Sequence, residues 1–161
     1  QTAIFPNLNS NDRVWQKLVR DARFRRALSL GINRYEINQV IYFGLARESN
    51  NTVLPASPLY RERYQTAWAR YDIEQANQPL DEMGLDKRDD RGLRLMPDGR
   101  PLKVILHTAG ESTEETDVLE LIGDSWLKLG IKLYVSPSQR EVFRQRTFTG
   151  SSMISMFSGI D

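Results

Sequence analysis

Apolar and polar residues follow two different periods along this chain, and the switches between them mark its elements. Thr2 to Leu8 mixes Ile4 and Phe5 with Pro6 and Asn7, which predicts a short strand at a sheet edge, where a proline is tolerated. Helical spacing follows. Asn11 or Asp12 can cap a helix through Val14, Trp15 and Leu18, and Asp21 opens a stronger one. In the second, Phe24, Ala27, Leu28, Gly31 and Ile32 recur at i, i+3, i+4, i+7 and i+8, the stripe of an amphipathic helix. Asn33 with Glu36 is a capping-box variant for a third helix facing inward through Ile37, Val40 and Ile41. Gly44 suits the left-handed position that ends it. Residues 48–64, with Ser49, Asn50, Asn51, Pro55 and Pro58, read as a loop.

Asp72 caps the next helix, with Gln75 at its third position, Ala76, Leu80 and Met83 inward, and Gly84 as the stop. Pro79 inside it predicts a kink or a loosened first turn. Asp86 to Arg94 is charged and reads as solvated, and Pro97-Asp98-Gly99 is a turn. Leu102 to Leu106 is strand-like. Ser112 and Glu115 head a long helix with Val118, Leu119, Ile122, Trp126 and Leu129 inward, closed by Gly130. Ile131, Leu133 and Val135 then alternate with Lys132 and Tyr134, the period of a half-buried strand. Ser138 to Arg146 reads as a short helix with Val142 and Phe143 inward, and Ser152 to Phe157 as a last strand. Strand, long helix, strand is a βαβ unit, so the fold class is α/β, a mixed sheet flanked by helices.

Composition narrows the class. The 161 residues amount to one domain, with 40% hydrophobic and 27% charged residues. The most apolar stretch, Ile37 to Leu45, is broken by Asn38, Gln39 and Gly44, far short of the roughly 20 residues a bilayer requires. Lys plus Arg total 22 against 21 Asp plus Glu, a net charge of +1, whereas a phosphate-binding domain usually carries a clear positive surplus. Cysteine is absent, which excludes disulfides, zinc-thiolate sites and cysteine nucleophiles. The sequence opens at Gln1 without the basic and apolar regions of a signal peptide, and both ends read as cuts through a longer protein.

The search for chemistry is mostly negative. GxGxxG, P-loop, HExxH and CxxC motifs are all missing. His107 is the sole histidine, so a hydrolase would have to work through it and Ser112. The serine is explained as a helix cap, however, and His107 as a polar residue at a strand end. Glu111, Glu114 and Glu115 sit where a helix N-terminus favours negative charge. Neither catalysis nor a metal or other cofactor is expected. Arg13, Lys17, Arg20, Arg23, Arg25 and Arg26 make the case for the alternative function, a nucleic-acid-binding module using the Arg13–Arg26 face. A run of this kind is more often a solvated face, so nucleic acid is not the expected partner.

One constellation goes further. The stretch Asp21-Ala22-Arg23-Phe24-Arg25-Arg26-Ala27-Leu28-Ser29-Leu30-Gly31-Ile32-Asn33-Arg34 resembles the D-x-R-x-R-x-A-L-x-x-A-I-D-R signature of family 5 extracellular solute-binding proteins, the dipeptide- and oligopeptide-binding components of ABC importers. Further blocks resemble the family in order. They are Glu36-Ile37 to Gly44-Leu45-Ala46, Leu54-Pro55, Tyr71-Asp72 through Ala76-Asn77, Leu80 and Gly84, then Asp98-Gly99-Arg100-Pro101-Leu102, and Trp126 to Ile131. Gly31 and Asn33 stand where the family usually has Ala and Asp, Ile73 where it has Pro, and Pro79 interrupts a helix.

The resemblance implies one lobe of the C-terminal type, spanning 1–161, of a two-lobed periplasmic binding protein of type II-like architecture, with solute bound between lobes. Implied partners are a peptide or other small solute and a membrane permease, with the lobe itself monomeric and lying in the periplasm or on the outer face of the membrane. Implied ligand contacts are Thr108, Ala109, Gly110 and Glu111 in one loop, then Phe157, Ser158 and Asp161 at the end of the last strand. Ala109 stands near where dipeptide binders carry a basic residue, and Phe157 fits an aromatic position. Asp161 lies near the position of an acid, at a spacing unlike the commoner W-x-x-D, so the implied ligand is not restricted to dipeptides.

Overall fold

The computed structural model describes residues 2–110 and 112–158. Seven helices and four strands follow one another along them: β1 (Thr2–Pro6), α1 (Arg13–Arg20), α2 (Ala22–Leu30), α3 (Arg34–Tyr42), α4 (Glu62–Thr66), α5 (Ile73–Glu82), β2 (Lys103–Thr108), α6 (Thr113–Leu127), β3 (Lys132–Pro137), α7 (Arg140–Phe148) and β4 (Ile154–Ser158). The sheet order is β1-β4-β2-β3. β2 runs parallel to both β3 and β4, and β1 pairs antiparallel with β4. The sheet is therefore mixed, with the proline-bearing β1 at one edge.

Local chemistry sets most helix starts. The Asp12 carboxylate accepts from the N–H groups of Val14 and Trp15, and Asp21 from Arg23. Asn33 accepts from Glu36, Asp72 from Gln75 and Ser112 from Glu115. Each satisfies donors the helix itself cannot. Arg100 in the 97–99 turn region donates to both Asp12 oxygens, at 2.9 and 3.1 Å, tying the cap of α1 to the approach to β2.

One face of the sheet carries Val104, Leu106, Leu133, Ile154 and Met156 against Trp15, Phe24, Leu28, Leu119, Ile122 and Trp126. Leu28, Ile37, Leu119, Ile122 and Trp126 are all buried as the stripes predict. Trp15 meets Phe24 edge to face, with centroids 5.6 Å apart. Both buried indoles are satisfied, Trp15 donating to the Met153 carbonyl and Trp126 to that of Leu28, as burial of an indole requires. On the opposite face α7 covers only part of the sheet. Phe143 is buried there, while Ile105 and Tyr134 stay exposed.

Several expectations fail in detail. Val40 is 55% exposed. The inner arc of α3 turns toward Ile37, Asn38 and Ile41, and at 100° per residue Val40 falls outside it. Asn38 is buried because its amide group exchanges bonds with the Ala46 backbone, 2.9 Å in each direction. Val135 and Val142 are exposed too, one near the end of an edge strand, the other beside Phe143, the buried residue of α7. The 48–64 loop gives way at Glu62 to the short α4, which buries nothing and has no side-chain cap. α5 runs from Ile73 to Glu82 with Pro79 inside it, and its first turn is capped by Asp72 rather than loosened. The segment Asp86 to Arg94 is not uniformly solvated, since Leu93 and Arg94 are buried.

Arg94 is the largest departure. Its side chain is 1% exposed and bridges three elements. Nε donates to the Leu129 carbonyl at 2.7 Å, Nη1 to the Leu85 carbonyl and an Asp81 oxygen, and Nη2 to Asn77 Oδ1 at 2.7 Å. The guanidinium thereby joins α5, the chain leaving it and the end of α6.

Candidate functional site

Because β2, β3 and β4 run parallel, their carboxyl ends share one edge of the sheet, and antiparallel β1 brings Thr2 there opposite Ser158. In open α/β sheets this edge is where ligands meet the fold. Thr108, Ala109 and Gly110 leave β2 at this edge, and Phe157 and Ser158 end β4 there. Four of the expected contacts, Thr108, Ala109, Gly110 and Phe157, are thus brought together with the end of Ser158's strand. Glu111 and Asp161 lie outside the described residues, as does Gln1.

The loop is pinned from within. Thr108 is buried, with its hydroxyl donating to Glu115 Oε2 at 3.2 Å and accepting from the Gly110 N–H at 3.0 Å. Its carbonyl accepts from the Ser138 N–H. Thr108 therefore shapes the loop, while the exposed backbone of Gly110 and the half-buried Ala109 form its outer surface. Gly110 has φ +67°, and a Cβ there would come within 3.0 Å of Pro137 Cβ, so this close approach requires glycine. Phe157 is 56% exposed and lies parallel to Phe143, with ring centroids 6.3 Å apart. Phe143 on α7 holds one side of the ring and leaves an apolar surface at the edge.

His107 points to the α7 side. Its Nδ1 accepts from Arg146 at 3.3 Å, and burial, reinforced by the Arg146 charge, pushes the imidazole below its ordinary pKa. Ser112 is engaged as the cap of α6. Four residues of the basic run have partners within the chain. Arg20 donates to Leu8 and Asn9, Arg23 pairs with Asp21, Arg25 donates to the Val19 carbonyl, and Arg26 lies over the Trp68 ring. Among the described residues no group of three or more His, Asp or Glu side chains could hold a metal, and no helix is long and apolar enough to cross a membrane.

A feature with no sequence signal lies beside this edge. A cavity of about 800 Å³ opens between α3, α6, β1 and the segment 46–55. Its floor includes Leu28, Ile37, Val118, Ile122 and Trp126, and Thr2, Tyr42 and Glu114 stand around it. The Tyr42 hydroxyl donates to Glu114 Oε1 at 2.6 Å, and burial together with this carboxylate pushes the phenol up to about 12. Those two residues are 72 positions apart, which no local pattern can reveal.

A mixed sheet with an open carboxyl edge, helices packed on one face and α7 on part of the other, is an architecture found in periplasmic oligopeptide-binding proteins. Residues 2–159 match the family described as bacterial extracellular solute-binding proteins, family 5 Middle, and the chain belongs to that family. It superposes on the oligopeptide-binding protein OppA with a TM-score of 0.91 and 35% identity, over 99% of this chain and 25% of that one. The oligopeptide-binding protein of Thermus thermophilus, solved with a pentapeptide, shares the fold at TM-score 0.82 and 20% identity, covering 97% of this chain and 27% of that one. A probable ABC transporter-binding protein of Deinococcus radiodurans is 25% identical over 132 residues, 81% of this chain and 22% of the relative. The chain thus spans about a quarter of the length of these relatives.

Proposed function

We propose that this chain forms one wall of a solute receptor that delivers its ligand to an ABC importer at the outer face of the membrane. The observation carrying this reading is the match to an oligopeptide-binding protein over nearly the whole chain. The open sheet edge supports it by offering Phe157, Gly110 and Ala109 to a ligand. A solute lies against this edge and is closed over by a second lobe, and the open–closed equilibrium is what a permease reads. Ser158, Glu111 and Asp161 belong to the same proposed wall.

Peptide is the favoured solute class, from the oligopeptide-binding relatives. Sugars are the second, because a related fold from Agrobacterium fabrum was solved with stachyose. Two half-walls imply a quantitative test. If the full receptor binds at about 1 μM, about −8.2 kcal/mol, and one wall supplies half, the isolated lobe binds at about 1 mM. Calorimetry should show this loss. Screening tri- to pentapeptides and oligosaccharides by thermal shift on the full-length receptor identifies the solute. Phe157→Ala should then weaken it about tenfold through lost ring contact. Micromolar binding by the lobe alone, or unchanged affinity in Phe157→Ala, would refute the reading.

A further inference from the structure

We propose that α7 is an acid-released helix: protonation of His107 frees it from the sheet and leaves the Phe157 ring without Phe143 beside it. This stands on the packing of α7 and holds whether or not a solute uses the carboxyl edge.

α7 is held at few points. Its cap residue, Gln139, makes no side-chain bond to the helix start, and Phe143 is its buried residue. Helical spacing puts Arg140, Phe143, Arg146 and Thr147 on one side, and three of these meet the sheet. Phe143 lies parallel to Phe157 of β4. Arg146 Nη1 lies 3.3 Å from His107 Nδ1 of β2. Thr147 Oγ1 lies 3.4 Å from Ser155 Oγ, which in turn meets Ser152 Oγ at 3.0 Å. A short helix with so little buried apolar surface belongs to the low-stability end of a fold, so losing one polar tie shifts its opening.

His107 is the tie that acid removes. A guanidinium only donates, so Nδ1 must offer a lone pair and the neutral ring carries its proton on Nε2. A proton on Nδ1 removes that acceptor and sets two cations in contact. The imidazole is 8% exposed, so little water reaches the new charge. Burial and the Arg146 charge already push the ring below its ordinary pKa, which places release in the acid range.

The charged groups that register and alternation place on this side of the sheet are basic. Lys103 and Ile105 of β2 share the face of His107, with Lys132, Tyr134 and Ser136 of β3. Ser155 and Phe157 of β4 and Ala3 and Phe5 of β1 complete it. On α7, Arg140 shares the inner side, while Glu141 falls on the outer side and Arg144 on the flank, both exposed. Glu115 is engaged by Thr108, whose side chain alternates to the opposite face.

The test is amide hydrogen exchange of the full-length receptor at about pH 7.5 and about pH 5, corrected for intrinsic rates. In the open state His107 returns to about 6.5, so α7 opening rises by at most about thirtyfold at the lower pH. A loss of protection of about tenfold is expected across residues 144–149, with α6 unchanged. His107→Gln offers Arg146 a neutral acceptor that takes up no proton, and should keep α7 protected at both pH values. Arg146→Gln should raise the His107 pKa, read from the ring C–H resonance that His107→Gln loses. No loss in the parent, an equal loss in His107→Gln, or a loss that includes α6 overturns the proposal. So does an Arg146→Gln protein in which His107 titrates as in the parent. Should His107→Gln not fold, the parent exchange and the Arg146→Gln titration decide by the same outcomes.

Discussion

Replacing Arg94 by Met removes the one guanidinium that joins α5, the following loop and the end of α6, while keeping an unbranched apolar stem of similar reach. The carbonyls of Leu129 and Leu85 lose their donors, and Asn77 Oδ1 is left with the longer bond from Arg88 at 3.4 Å. A buried group left unsatisfied costs about 1–3 kcal/mol, and these share one site whose rearrangement lowers the sum. Asp81 adds little, because its side chain is 55% exposed and water replaces the lost partner. The expected loss is about 3–5 kcal/mol, from the acceptors left unsatisfied or weakly bonded after that rearrangement. That corresponds to a fall in Tm of about 10–15 °C for a domain of this size. Urea denaturation followed by the fluorescence of buried Trp15 and Trp126 measures it, with Asp81→Asn as the control, expected within about 1 kcal/mol of the parent. A loss below about 1 kcal/mol in Arg94→Met would show that the network does not hold the three elements together.

The other expectations concern stability at two sites. A Cβ on Gly31 would come within 2.6 Å of Leu129 Cδ1 and 3.1 Å of Trp126 Cδ1. Gly31→Ala should therefore destabilise by about 1 kcal/mol through overpacking, and Leu129→Val should relieve it in a double-mutant cycle; additive losses would refute the contact. His107, with its pKa held below 6.5 by burial and by Arg146, binds fewer protons folded than unfolded. Its contribution to stability is present above pH 6.5 and is lost as pH falls from there through the lower folded value. His107→Gln should flatten that part of the urea midpoint against pH curve, and an unchanged slope would assign the dependence to other groups.

Much of this fold is written in short-range chemistry. The Asp12, Asp21, Asn33, Asp72 and Ser112 caps act on N–H groups within three residues, so helix starts are legible without knowing where the helices pack. The stripes of α2 and α6 likewise identify Leu28, Leu119, Ile122 and Trp126 as core, because helical period alone puts them on one face. Block order along the chain carried the family. The loop after β2 and the end of β4 were expected as ligand contacts only through that resemblance.

What the tertiary structure decided lies in contacts between distant segments. Periodicity names a face but not its neighbours, so it could not separate buried Ile37 from exposed Val40, nor tell that Phe143 of α7 is buried against the sheet while Val142 beside it is not. Charge by itself reads as solvated, and Arg94 is buried only because four acceptors from three segments, α5, the loop after it and the chain after α6, converge on it. Thr108 lies in the expected loop, yet its hydroxyl turns inward to Glu115, a partner across the β2–α6 connection. The cavity has no local signature at all, because its walls come from α3, α6, β1 and a loop that meet only on folding. Sequence thus determines local conformation and which residues avoid water. The spaces between elements, and the polar groups that must be satisfied there, are fixed only when the chain closes on itself.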